Sequence, residues 1–385
     1  MPEPILTLPP TREFFGYLSH GLERRNKRHL STSAPIAEEI FSALEFYSEV
    51  DETGRKFLVA NAGCSEAESK IIHPKFQAFV RQAKTFFMPA ESLHHRARPL
   101  FYYYAFLNLA KAFLCVRAPK LFLGPEKFGH GILERHAGGK FIDECVEIKN
   151  EGVFVEMYKA LTGQKLPAGT KFIVEDMLGY STDIGFDFET KLGVPHIAQG
   201  KSRMCFDTDT KNKWPLIAIF GLTDLEKRAT GAFNQFHHFF EEVAVDKQIG
   251  NEMFDIKPYS LKEWRFFQSK KIFLNNETGN REFVLEFDPI SKKYFKSTVY
   301  NEQIDFHLSL PIGAAFEFPW NEFLAGYVIY FYLGSLVRYH PAYLESLLRT
   351  KEAWKLESFT KSASQTLLRQ ILGNILNEIY VFESR

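Results

Sequence analysis

From Pro99 to Val116 the chain reads PLFYYYAFLNLAKAFLCV, apolar or aromatic on every side and formally charged only at Lys111. A helix without a polar face is either buried in a core or crosses a membrane. The run is shorter than the roughly 20 residues a bilayer crossing needs, so it is read as the central helix of a helical core. A second run of the same character, Phe323 to Val337, leads into Arg338-Tyr339-His340-Pro341 and predicts a helix over 323–339. After His73-Pro74, residues Phe76, Phe79, Val80, Ala83, Phe86 and Phe87 recur at steps of three and four, with Lys75, Gln77, Arg81 and Lys84 turned away. That pattern predicts a helix over 75–88, ended by Pro89. Leu367, Leu368, Ile371, Leu372, Ile375, Leu376, Ile379 and Tyr380 form a stripe that predicts a last helix over 362–382.

Shorter helices are expected over 35–49, with Pro35 in the first turn, near 153–161, and over 342–349. Ser65 and Glu68 have capping-box spacing. In the middle the period changes to two. Phe283, Leu285 and Phe287 alternate with polar neighbours, as do Ile304, Phe306, Leu308 and Leu310. The alternation predicts antiparallel strands across 270–310 with one wet face, and 275–280 reads as a turn. Lys171 to Val174 and Trp214 to Phe220 also read as strands. Helices at both ends with strands between make the fold class α+β: a mainly helical bundle built from N- and C-terminal helices, with an inserted α+β region containing an antiparallel sheet. The expected divisions are an N-terminal segment with one helix (1–64), the first half of the helical core (65–117), the inserted region (118–318) and the second half of the core (319–385).

Composition narrows the classes. Of 385 residues 45% are hydrophobic and 15% aromatic, enough for a large core and against disorder. The formal net charge is +0, so no global basic field marks a nucleic-acid binder, and any such surface must be local. Cys64, Cys115, Cys145 and Cys205 lie far apart without CxxC spacing; reduced thiols are expected rather than a zinc site. MPEPILTLPP has neither a basic nor an apolar leader segment, so no signal peptide and a cytoplasmic setting are expected. No cofactor or metal is expected: a phosphate-binding Gly-rich loop, GxSxG and HExxH are absent from the sequence.

RPLFYYYAFLNLAKAFL, then Phe128-Gly129-His130-Gly131, then a late apolar helix ending LVRYHP, resembles the YaaC-like family of bacterial proteins. The aromatic helix also resembles the second helix of HEPN domains, helical bundles that include metal-independent ribonucleases of toxin and antiphage systems and others that bind nucleotides or partners. The resemblance implies a HEPN-like bundle that acts by binding nucleic acid or protein partners within an antiphage defence system. RNA or another nucleic acid, a protein of the same system, and a second copy of the chain are the implied partners, with no membrane. The alternative it implies is a HEPN-type ribonuclease with His130, Arg338 and His340 as catalytic residues. Ribonuclease members set an arginine and a histidine further apart on a late helix; here only Tyr339 stands between Arg338 and His340.

Each candidate has a structural reading beside the functional one. His130, between glycines, either fixes a turn or works as acid or base near neutral pH. Arg338 and His340 either cap the late helix or line an anion-binding cleft with His130. Asn108 and Lys111, the polar positions of the central helix, need partners if buried, and either satisfy the fold or face a ligand. Arg98 could hold a phosphate at the helix start. The basic run Arg24 to His29 reads as a solvated segment or a phosphate-contacting arm. Asp187, Glu189 and Lys191, with Asp183 or Asp176 upstream, resemble the core of Mg²⁺-dependent nucleases, a less favoured reading. His237, His238, Glu241 and Glu242 have helical i,i+4 spacing suited to a metal, without further ligands in view.

Overall fold

The computed structural model describes residues 26–30, 35–125, 128–136, 138–181, 183–184, 197–207, 210–221, 230–245, 247–300, 303–309, 318 and 320–382. The chain divides into two compact units: a helical one from Asn26–Gly193 and Asn321–Arg385, and a second from the described residues between Val194 and Trp320.

The central helix spans Arg98–Arg117 and buries most of its length. It is long and apolar enough to cross a membrane, yet it lies packed inside the protein. The long helix before it, Glu66–Ala90, starts on the expected capping box: the Ser65 hydroxyl accepts from the Glu68 N–H, and Glu68 accepts from the Ser65 N–H at 2.7 Å. Pro74 and Pro89 lie inside this helix, where a start and a stop were predicted. A proline removes one ladder bond. Here Ile72, His73, Phe76 and Phe79 are buried on both sides of Pro74, and that shared burial carries the helix through. Phe87 meets Tyr102 and Phe106, while Lys111 lies over Phe79, so the two helices run antiparallel.

The late helix, Glu322–Tyr339, and the closing helix, Ala353–Leu376, complete the core. Tyr330 packs on Tyr102 and Phe106 of the central helix and on Phe359 of the closing one. Helix Ile36–Glu49 covers the long helix through the ion pairs Arg81–Glu49 and Lys84–Glu45, which use the cations that the pattern turned away from the core. The closing helix stops before the predicted 382. Asn377 takes a left-handed conformation, φ 57°, and Glu378–Phe382 instead pairs in parallel with strand Asn26–Leu30. A small antiparallel sheet, Ile132–Arg135, Cys145–Ile148 and Lys171–Ile173, also belongs to this unit.

The second unit holds a larger antiparallel sheet. Its strand order is Phe295–Tyr300, Gln303–Ser309, Ile197–Asp207, Asn212–Phe220, Trp264–Ser269, Phe240–Val243, with Phe273–Leu274 paired to the start of Asn212–Phe220. Cys205, Trp214, Leu216 and Ala218 pack on Met253, Phe254, Ile256 and Phe266. The strand predicted around Ile304, Phe306 and Leu308 is present as Gln303–Ser309, with Leu310 outside the described residues, but Phe283, Leu285 and Phe287 lie on helix Glu277–Tyr294. Phe283 and Phe287 are i,i+4 neighbours, stacked at 4.6 Å and buried, whereas Leu285 points away and is 76% exposed. Three alternating residues satisfy both periods. The predicted turn at 275–280 is the helix start, with the Asn276 side chain accepting from the Gly279 N–H at 2.8 Å.

Candidate functional site

The Gly129-His130-Gly131 turn is shaped by another backbone. The N–H groups of Val153 and Phe154, opening helix Val153–Thr162, donate to the carbonyls of Gly129 and His130, each at 3.0 Å. Gly131 and Gly152 have φ of 82° and 133°, and a Cβ on Gly152 would lie 2.3 Å from the Gly131 nitrogen. The glycines therefore permit two backbones to cross. This crossing sets the His130 ring against the bundle. Its Nδ1 lies 2.5 Å from the Tyr103 hydroxyl, and its ring packs near Phe331 of the late helix.

Burial lowers the His130 pKa, and the charges of Arg338 and Lys111 lower it further. Burial raises that of Tyr103, with Tyr327 adding to it. Phenol and neutral imidazole are thus the favoured forms at neutral pH. With both groups neutral, the contact is a hydrogen bond in which either the Tyr103 O–H or the imidazole Nδ1–H is the donor.

Arg338 ends the late helix beside this pair. Its Nη1 donates to the Tyr104 hydroxyl at 2.8 Å. Its Nε is buried and meets no acceptor among the described residues, and no carboxylate there lies within ion-pair distance. Tyr103 and Tyr104, adjacent on the central helix, thus hold His130 and Arg338 in turn.

His340 goes elsewhere. It caps the late helix, and its ring lies 4.6 Å from that of His136. The His136 Nδ1–H donates to both carboxylate oxygens of Glu144 at 3.0 Å. Glu144 is fully buried and also accepts from the Tyr332 hydroxyl at 2.8 Å. Tyr343 packs on His136 at 4.1 Å, and its pKa is pushed up to about 12 by burial and by Glu144. This cluster was not read from the sequence. The signal for it is the hairpin register: Ile132 faces Ile148 and Arg135 faces Cys145, so continuing by one residue sets His136 opposite Glu144.

A YaaC-like Protein family model matches residues 46–375. The chain belongs to the YaaC-like family. No curated protein and no solved structure matches it.

The remaining candidates of this YaaC-like chain are placed as follows. Asn108 is 4% exposed and its side-chain amide donates to its own helix at the Tyr104 carbonyl, 2.8 Å away. Arg98 donates to the carbonyls of Glu91 and Leu93, fixing the connection between the long and central helices. Lys111 lies over Phe79 and acts on His130 only through its charge. Asp187, Glu189 and Lys191 lie outside the described residues. Asp183 accepts from the Thr366 hydroxyl at 3.2 Å, and burial raises its pKa. The helical spacing of His237, His238, Glu241 and Glu242 is broken, because the helix ends at Phe239 and both glutamates lie on strand Phe240–Val243. There Glu241 accepts from Gln268 and Glu242 pairs with Arg265. Among the described residues no three His, Cys, Asp or Glu side chains form a group able to hold a metal.

Proposed function

We propose that this YaaC-like protein acts by binding nucleic acid, with Arg338 holding a phosphate beside His130. The observation that carries the reading is Arg338: a half-buried cation at the end of a buried helix, with no carboxylate partner among the described residues. A guanidinium so placed is suited to phosphate. A place in an antiphage system belongs to this reading through the HEPN resemblance of the aromatic helix.

The second reading is a metal-independent HEPN-type ribonuclease. What favours it is that the charge of Arg338 reaches His130. Its third expected member, His340, packs on His136 instead. RNA binding and cleavage in EDTA, by the wild type and by His130→Ala and Arg338→Ala, test the two. The expected result is binding that weakens with salt and with Arg338→Ala, without cleavage. Cleavage that survives EDTA and disappears in both variants would establish the ribonuclease. Cleavage that needs Mg²⁺ and is lost in Glu189→Ala would move the site to Asp187 and Glu189. A wild type that retains protein partners but no nucleic acid would overturn the phosphate reading.

A further inference from the structure

Arg338 lies between two tyrosine rings. Its guanidinium lies over the Tyr104 ring at 5.5 Å and over the Tyr339 ring at 4.8 Å. Tyr104 in turn stacks on Phe86 at 5.2 Å, with planes 27° apart. Phe86, Tyr104, Arg338 and Tyr339 thus follow one another in contact, from the long helix through the central helix to the end of the late one. The inner members are half-buried. Tyr339, the outer member, is 62% exposed.

A single exposed aromatic is ordinary. Tyr339 differs in being backed by a cation that has no carboxylate partner among the described residues. Its ring is held by a cation–π contact on one side, and most of the rest is in water. The group that continues such a series is another flat π-system whose neighbour carries negative charge. An unpaired nucleobase next to its own phosphate has both. Base–aromatic stacking of this kind tolerates any base, but it needs a base with a free face, which a duplex does not offer away from its ends.

We propose that Tyr339 is a stacking platform for an unpaired nucleobase, so that the site selects single-stranded over duplex nucleic acid. The inference rests on the reading of Arg338 as a phosphate ligand and adds a specificity-determining residue to it. The chemistry needed is recognition alone; no bond is made or broken.

Fluorescence anisotropy of the full chain tests it with three labelled RNA probes of equal length: a single strand, a duplex, and a strand with abasic sugars. The wild type is expected to prefer the single strand to both others. Tyr339→Ala should weaken single-strand binding roughly 5- to 150-fold, the loss of one stacked base, and leave the duplex and abasic probes unchanged. Tyr339→Phe should keep the preference. Because the side chain is exposed, the variants should melt with the wild type. If Arg338→Ala weakens all three probes while Tyr339→Ala changes none, the stacking inference falls and the phosphate reading stands. Equal losses on all three probes with Tyr339→Ala also overturn the stacking inference. If the wild type binds no probe, or binds independently of Arg338, both fall.

Discussion

The buried carboxylate of Glu144 should make the His136 cluster one of the costliest places in the helical unit to perturb. Glu144 is fully buried and accepts from the His136 Nδ1–H and the Tyr332 hydroxyl. A hydrogen bond to a charged group contributes about 1.5–3 kcal/mol, and breaking a buried pair from one side costs about 3–5 kcal/mol. The His136 side chain retains 19% exposure, so water partly replaces it once removed. His136→Ala should therefore fall at the lower end, about 3 kcal/mol. Tyr332→Phe should cost about 1.5–3 kcal/mol, since it deletes one donor and leaves the ring in place.

Glu144→Gln isolates the charge. With no carboxylate to strand, His136→Ala in that background should cost only about 1 kcal/mol, the value of an ordinary hydrogen bond. The double-mutant cycle then gives a coupling of about 2 kcal/mol between positions 136 and 144. The assay is urea unfolding followed by far-UV ellipticity for the wild type, both single variants and the double variant. Independent sites add to within about 0.5 kcal/mol. A coupling below that limit would show that His136 and Glu144 do not act as a pair, and the argument would be refuted.

How much of this was legible in the sequence depended on whether one period fitted. Leu367 to Leu376 admits only a helix, because its apolar steps of three and four persist through several turns. Phe283, Leu285 and Phe287 fit both a strand and a helix that buries two of them and exposes the third, and no local signal decides between the two. Pro74 was misread because the burial that keeps the helix running comes from packing on other elements. At the site, Arg338 and the Gly-His-Gly turn were visible as residues. Their association with Tyr103 and Tyr104 was hidden inside an all-apolar run, where every tyrosine looks like core. His136 and Glu144 were invisible because a hairpin register, not a motif, joins them.

Two further outcomes follow from the turn itself. Gly152→Ala places a Cβ 2.3 Å from the Gly131 nitrogen at a φ of 133°; it should destabilise the helical unit by about 1–3 kcal/mol or more, read as a lowered melting temperature, and a variant that melts with the wild type would show that the two backbones do not cross there. His130 should make the unit sensitive to acid. Its folded pKa lies below the ordinary 6.5, through burial first and then through Arg338 and Lys111. The unfolded chain therefore takes up the proton before the folded one does. Stability is retained above the unfolded value and lost as pH falls from there through the folded value. His130→Asn cannot titrate, so between pH 8 and pH 5 its urea midpoint should fall less than that of the wild type. The other titrating groups are common to both proteins and cancel in the difference. Equal falls would mean that His130 is as easily protonated in the folded unit as in the unfolded chain, contrary to its burial beside two cations.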